Sequence, residues 1–277
     1  MREEFLVIAG CRVRVLTAGR GSPVVLVHGF GSSAYTWRHV IPGLAARHRV
    51  AVLDLPGYGA SELPGEADPA LLVEAVTGVL ARMGSPACLV GSSMGGALAA
   101  LVASGSPDLV ERLVLVDAAA YRLRPGERPL PVRLASGRLA ALLARLPLRR
   151  VATWWTLRQV FADPGLVTAE MVDEYAAPFF RRGAIEYQRR LLGSATPGDV
   201  PGLLQAIQCP VLVVWGRDDR WIPVEDADRF SADLADARVV VLERCGHLPH
   251  EERPEEFLAA LEDVLRVETS QPLVAGP

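Results

Sequence analysis

A five-residue segment, residues 91–95, constrains the possible fold more than any other part of this chain. It reads Gly-Ser-Ser-Met-Gly, follows a short apolar run at residues 87–90 and precedes an alanine- and leucine-rich run at 96–103. A G-x-S-x-G pattern between a strand and a helix predicts a turn so sharp that its central serine, Ser93, has strained backbone angles. Glycine on either side leaves the space that such a turn needs. The turn would expose the Ser93 oxygen at the carboxyl edge of a sheet, beside the N-terminus of the next helix.

Short apolar runs alternate with helical patterns along most of the chain. Runs of this length, each followed by a helix, are typical of a mostly parallel sheet that helices cover on both faces. We therefore predict an α/β fold with a sheet of eight strands. The eight runs are residues 5–9, 12–17, 24–27, 50–53, 87–90, 112–116, 210–214 and 238–242. The helical patterns outside the stretch described next are residues 34–46, 69–83, 96–103, 224–234 and 254–267.

The alternation of strands and helices stops between about residues 118 and 201. This stretch has no convincing strand, but it carries helix-favouring runs at 133–146 and 168–175, which prolines interrupt. We predict that it forms a helical cap, inserted after the sixth strand of a single core domain. The predicted boundaries are 120–200 for the cap, 1–119 and 201–267 for the core domain, and 268–277 for a flexible tail.

Composition excludes several classes of function. The formal net charge of −3 predicts no attraction to nucleic acid or to anionic lipid, so we expect neither nucleic-acid nor membrane partners. All 29 basic residues are arginines, and a chain without lysine cannot form a Schiff base. The four cysteines are scattered without metal-ligand spacing. No apolar stretch is long enough to span a bilayer, and the N-terminus lacks the pattern of a secretory signal, so we expect a cytoplasmic protein.

Two further residues follow predicted strands at the edge of the sheet where Ser93 would lie. A serine hydroxyl is a poor nucleophile until a base takes its proton, and the base needs a partner that fixes its tautomer. His247 precedes the last helix and can serve as the base. Asp219, after the strand at residues 210–214, can serve as the acid, with Asp218 and Asp117 as alternatives.

The order Ser93, Asp219, His247 resembles that of the α/β-hydrolase superfamily, and the resemblance covers essentially the whole chain. Three more segments of the chain also resemble segments of that superfamily. Residues 28–31, His-Gly-Phe-Gly, resemble the oxyanion loop of that family, and residues 54–61 resemble its D-x-x-G-x-G-x-S turn. Residues 216–223 resemble its acid turn, in which the acid stands three residues after a glycine; this favours Asp219 over Asp218.

The resemblance implies an α/β-hydrolase fold and a two-step acyl transfer that needs neither a metal nor a cofactor. Ser93 would attack a carbonyl while His247, oriented by Asp219, takes its proton. The backbone N–H groups of Phe30 and Met94 would hold the developing oxyanion.

The branch of the family is less sharply indicated. A serine at position 93 argues against the haloalkane dehalogenase and epoxide hydrolase branches, whose nucleophile is a carboxylate. The chain is similar to the hydrolases that cleave a carbon–carbon bond in meta-cleavage products, and to the cofactor-free haloperoxidases. However, Ser92 and Leu248 stand where the carbon–carbon hydrolases tend to have asparagine and tryptophan.

We expect a carboxylesterase that takes small-molecule esters with apolar acyl or aryl groups. The first alternative is a carbon–carbon hydrolase of vinylogous diketones, followed by a perhydrolase, a lyase or a ligand receptor. The oligomeric state, monomer or homodimer, stays open. The residues expected to line the substrate pocket are Trp154, Phe179, Trp221 and Leu248.

Overall fold

One sheet of eight strands organises the computed structural model, which describes residues 1–84, 86–121, 149–194 and 200–266. The strands are β1 (Arg2–Ile8), β2 (Cys11–Ala18), β3 (Pro23–Val27), β4 (Arg49–Leu53), β5 (Ala87–Ser92), β6 (Val110–Val116), β7 (Val211–Gly216) and β8 (Ala237–Leu242). Their order in the sheet is β1-β2-β4-β3-β5-β6-β7-β8. β2 is antiparallel to both β1 and β4, and every other neighbouring pair is parallel. The predicted mostly parallel α/β sheet is confirmed.

Helices cover both faces of this sheet. The α-helices in the described residues are α1 (Ile41–Ala45), α2 (Pro69–Met83), α3 (Met94–Gly105), α4 (Arg149–Val160), α5 (Ala169–Phe179), α6 (Ala184–Gly193), α7 (Val200–Leu204), α8 (Glu225–Asp233), α9 (Pro249–Glu252) and α10 (Pro254–Arg266). In the central strand β5, Leu89 packs in the same core cluster as residues of α2, α3 and α8. The next residue, Val90, points to the opposite face and packs in the cluster that includes residues of α1 and α10. Burial on both faces explains why the central strands are continuous apolar runs.

The helix predicted over residues 34–46 is interrupted in the structure. Ala34–Trp37 form a 3-10 helix, and α1 begins only at Ile41. Pro42 lies at the start of α1, where its missing N–H costs nothing, but within a continuous helix it would leave a carbonyl unpaired. The prediction of one continuous helix was therefore wrong.

Between β6 and β7 along the chain, the described residues form four α-helices, α4 to α7. This agrees with a helical insertion after the sixth strand. The run predicted at 168–175 corresponds to α5, whose first turn is capped by the Thr168 hydroxyl accepting a hydrogen bond from the Met171 N–H at 3.1 Å. The run at 133–146 and the tail at 268–277 lie outside the described residues, and the boundaries of the cap stay a prediction. None of the helices described combines the length and the apolar character required to cross a membrane.

Candidate active site

Ser93 is the single residue between β5 and α3, and its backbone is strained. Its φ of 54° and ψ of −119° lie in a region that residues with a side chain rarely adopt. Hydrogen bonds hold this conformation: the Ser93 N–H donates to the Val116 carbonyl at 2.9 Å, and the Ser93 carbonyl accepts from Gly96 and Ala119, each at 3.0 Å. The sharp strand-to-helix turn predicted from residues 91–95 is confirmed.

Glycines make room for this turn. A Cβ on Gly91 would overlap the carbonyl oxygen of Gly95, and a Cβ on Gly95 would lie 2.5 Å from the Val27 carbonyl oxygen. The following residue, Gly96, is equally restricted, since its Cβ would lie 2.5 Å from that of Ala118. The close approach of β3, α3 and the end of β6 around the serine thus depends on three glycines, of which the G-x-S-x-G pattern includes two.

The loop after β3 packs directly against Ser93. A Cβ added to Gly29 would lie 2.9 Å from the Ser93 Cβ and 3.5 Å from its hydroxyl oxygen. His28, which is fully buried, fixes the loop: its Nε2 accepts the Leu55 N–H at 3.0 Å, so its Nδ1 carries the proton and donates to the Gly29 carbonyl at 2.8 Å. Burial lowers the pKa of His28, which favours this neutral form. Phe30, one of the two predicted oxyanion donors, directly follows Gly29.

The other predicted donor, Met94, opens helix α3. Backbone N–H groups in the first turn of a helix have no partner within the helix, and the helix dipole favours negative charge there. Sequence reasoning missed Tyr58, which is buried beside both predicted donors. Its ring centroid lies 6.3 Å from that of Phe30, and its hydroxyl donates to the Met94 sulfur at 3.9 Å. The only signal for it was its place in the glycine-rich turn at residues 54–61.

Asp219 and His247 form a short hydrogen bond. His247 Nδ1 and Asp219 Oδ2 are 2.7 Å apart, and both side chains are buried. The other carboxylate oxygen of Asp219 accepts the backbone N–H groups of Trp221 at 2.7 Å and Ile222 at 3.2 Å. These bonds orient the carboxylate so that it accepts a hydrogen bond from Nδ1–H, which leaves the Nε2 lone pair of His247 free to act as a base.

The two alternative acids lie in different environments. Asp218 is exposed. Asp117 is fully buried at the end of β6; its Oδ1 accepts the Gly216 N–H at 3.0 Å, and its Oδ2 has no hydrogen-bond donor. Burial, together with the charge of Asp219, raises the pKa of Asp117. Asp117 therefore favours its neutral form, while Asp219 accepts the hydrogen bond from His247.

Asp117, Asp219 and His247 are also the described residues that come nearest to a metal-binding set. One potential ligand atom from each lies within 4.8 Å of the others. A divalent metal prefers deprotonated carboxylates with free lone pairs. Here Asp117 favours its protonated form, and Asp219 already accepts hydrogen bonds at both oxygens. The trio is thus better suited to hydrogen bonding than to holding a metal ion.

Three of the four residues predicted to line the pocket lie beside these groups. The Trp221 ring stacks on His247, with centroids 5.6 Å apart and planes at 23°. The Phe179 ring meets Phe30 edge to face at 6.4 Å. Leu248 packs in an apolar cluster with residues of α4 and α5. The insertion therefore brings apolar side chains to the edge of the sheet that carries Ser93.

Trp154 lies elsewhere. Its side chain is 43% exposed, and the Arg158 guanidinium stacks on its ring at 4.6 Å. On an amphipathic helix, a residue on the exposed face does not reach a buried pocket. Its placement therefore does not support the predicted role in binding substrate.

Comparison with known proteins agrees with the fold. A family model described as "Alpha/beta hydrolase family" matches residues 24–260. The uncharacterized hydrolase YugF of Bacillus subtilis is 31% identical over 246 residues, which is 88% of this chain and 89% of YugF. The 2-hydroxy-6-oxo-6-phenylhexa-2,4-dienoate hydrolase of Burkholderia cepacia is 29% identical over 90% of each chain. The pimeloyl-[acyl-carrier protein] methyl ester esterase of Aeromonas hydrophila is 28% identical over 90% of this chain and 98% of its own.

Three observations lead to one conclusion. The family model matches most of the chain, the relatives align over nearly their full length, and the sheet has eight strands. This chain belongs to the alpha/beta hydrolase family.

Proposed function

We propose that the protein is a serine hydrolase that cleaves carboxylic esters of small apolar acyl or aryl groups through Ser93, His247 and Asp219. The observation that carries this proposal is the buried 2.7 Å hydrogen bond between His247 and Asp219. It lies at the edge of the sheet at which the strained turn at residues 91–95 also exposes Ser93. The strands β5, β7 and β8 run parallel to their neighbours, so they end at this same edge.

In the first half of the reaction, His247 Nε2 takes the hydroxyl proton of Ser93 while the serine oxygen attacks the ester carbonyl. Asp219 stabilises the imidazolium that forms. The tetrahedral oxyanion is held by the N–H groups of Phe30 and Met94, and donors of this kind typically contribute about 3–4 kcal/mol each. His247 then gives its proton to the leaving alkoxide, so that the alcohol departs and the acyl group remains on Ser93.

In the second half, water attacks the acyl-enzyme. His247 takes a proton from the water and returns it to the Ser93 oxygen, which releases the carboxylic acid and restores the free enzyme. Each proton removed is thus replaced within the cycle by the same imidazole, and the residues of the chain suffice for the whole reaction.

An apolar substrate is inferred from the side chains near the proposed catalytic residues. Phe179, Trp221 and Leu248 present aromatic and aliphatic surface there. Apolar pockets with a few placed polar groups bind substrates mainly through burial of hydrophobic area. The similar protein from Aeromonas hydrophila is named as an esterase, which is consistent with an ester as the substrate.

A series of p-nitrophenyl esters from acetate to palmitate tests this proposal. We expect turnover to be fastest with short-to-medium acyl chains, the apolar groups that the side chains of Phe179, Trp221 and Leu248 favour. The release of p-nitrophenol is followed by absorbance, with the Ser93→Ala variant as the blank. Ester cleavage by the wild type no faster than that blank would refute the proposal.

A carbon–carbon hydrolase is the second candidate, and the relative from Burkholderia cepacia favours it. Such an enzyme acts on a dienol-diketone, a substrate whose absorbance disappears on cleavage. If kcat/KM for a dienol-diketone far exceeds that for every ester, this candidate replaces the esterase. The presence of Ser92 and Leu248, in place of the asparagine and tryptophan that those hydrolases tend to have, is why we rank it second.

A Gly29→Ala substitution tests the proposed oxyanion loop. The added methyl group would press on the Ser93 Cβ at 2.9 Å and on the Ser92 carbonyl at 3.2 Å, displacing the Phe30 N–H from the reacting oxygen. We expect kcat for the best ester to fall by about 10- to 100-fold, with a smaller change in KM. Gly65→Ala is the matched control, since a Cβ there meets no atom within 4 Å. Equal kcat values for the two variants would argue against this role of the loop.

A further inference from the structure

A buried carboxylate joins the loop of the catalytic histidine to the end of helix α4. Glu252, the last residue of α9, is 7% exposed. Its Oε1 accepts the Gly246 N–H at 2.7 Å, and its Oε2 accepts the Ala162 N–H at 2.8 Å. Gly246 immediately precedes His247, and Ala162 lies two residues beyond the end of α4. One side chain therefore uses its two oxygens to hold two segments that are distant in sequence.

The same two segments are also joined by their backbones. The His247 N–H donates to the carbonyl of Val160, the last residue of α4, at 2.9 Å. The approach is close: a Cβ on Gly246 would overlap the Val160 carbonyl oxygen and would lie 2.7 Å from the Ala162 nitrogen. Three hydrogen bonds thus connect the loop of the catalytic histidine to the end of α4, and Glu252 accepts two of them.

The side chain of the neighbouring Glu251 has different partners. It accepts the Thr36 hydroxyl at 2.7 Å and the Tyr175 hydroxyl, and it pairs with Arg38 at 2.8 Å. Those contacts fasten helix α5 to the core, and they do not involve the backbone on either side of His247. Of these two side chains, that of Glu252 accepts the N–H directly before His247.

We propose that Glu252 is a positioning residue, which fixes the loop of His247 against the end of α4 and so orients the imidazole toward Ser93. This inference rests on the proposed function, in which His247 is the base. A carboxylate suits the task because it offers acceptors on both oxygens at once, and hydrogen bonds from N–H groups to an ionised acceptor are stronger than those to a neutral one.

The charge of the Glu252 carboxyl changes near neutral pH. Burial raises the pKa of its carboxyl to about 7, although N–H donors from Ala162, Gly246 and Asp163 and the nearby Arg253 oppose this effect. Among the described residues, the other ionisable groups that it faces are Cys245 and Asp117, and burial raises the pKa of each. Protonation replaces one good acceptor by a hydroxyl, which weakens one of the two bonds. Activity should therefore fall as the pH drops through about 7.

The Glu252→Gln variant tests this role. Glutamine keeps the shape of the side chain, but its NH₂ group must face one of the two N–H donors. We expect kcat at pH 8 to fall about tenfold with little change in KM, since a small misorientation of the base affects the chemical step. Below pH 8, the fall in kcat/KM of the wild type should include a step near pH 7 from the protonation of Glu252, and this step should be absent from the variant. Glu255→Gln, on the exposed surface nearby, is the matched control.

A measurement on the wild type makes the test independent of activity and of how well the variant folds. The amide resonances of Gly246 and Ala162 should shift with one common midpoint near pH 7, because both donate to the same carboxylate. Separate midpoints, or a Glu252→Gln variant with the kcat and pH profile of Glu255→Gln, would overturn the proposal. Failure of the proposed function would appear differently, as a wild-type protein that turns over no ester while both amides still titrate together.

Discussion

Replacement of Ser93 by alanine is expected to lower kcat for ester hydrolysis by about 10⁴- to 10⁶-fold. The variant keeps the base and the oxyanion donors but loses the atom that forms the acyl-enzyme. The residual rate would come from the oxyanion donors and from substrate binding, which can still assist direct attack by water. The fold should survive, because the bonds that hold the strained turn are made by the backbone of residue 93.

The matched control is Ser92→Ala, one residue earlier. Ser92 is also buried, and its hydroxyl has no hydrogen-bond partner among the described residues, so its loss should change kcat by less than about tenfold. A fluorophosphonate probe gives a second measurement, since it modifies an activated serine covalently. Mass spectrometry should find the label on Ser93 in the wild type and in Ser92→Ala. Labelling of another serine, or retention of activity in Ser93→Ala, would exclude the proposed nucleophile.

Features set by short-range sterics could be predicted from the sequence. The sharp turn around Ser93 is such a feature, since any residue with a side chain at positions 91 and 95 would collide with backbone atoms of the turn or of β3. The strands are another, because a strand buried on both faces must be apolar at nearly every position. The pairing of His247 with an acid after β7 followed from the order of strands, as parallel strands end at one edge of the sheet.

Features set by tertiary packing could not be predicted in this way. Glu251 and Glu252 are adjacent and chemically identical, yet one fastens α5 and the other holds the histidine loop. Only the three-dimensional arrangement separates them. Trp154 is a similar case: a tryptophan in the insertion suggested the pocket, but the turn of α4 places it on the exposed face. The protonation of Asp117 likewise depends on its burial beside Asp219.

The second large effect is expected at Asp219, where substitution by asparagine should lower kcat by about 10⁴-fold. The backbone N–H groups of Trp221 and Ile222 require an acceptor, so the amide oxygen of asparagine would face them. Its NH₂ group would then point at His247 Nδ1 and donate to it. This forces the proton of the imidazole onto Nε2, and the nitrogen that must take the serine proton is no longer a base.

Two further substitutions identify which carboxylate acts as the acid. Asp218→Asn should leave kcat unchanged, since Asp218 is exposed and the hydrogen bond from His247 is accepted by Asp219. Asp117→Asn should cost less than about tenfold. Burial and the charge of Asp219 raise the pKa of Asp117, which favours its neutral form, and a neutral amide can accept the Gly216 N–H while its NH₂ donates to Asp219. A loss of about 10⁴-fold in Asp117→Asn together with an active Asp219→Asn would make Asp117 the acid instead, because the larger effect must follow the carboxylate that sets the tautomer of His247.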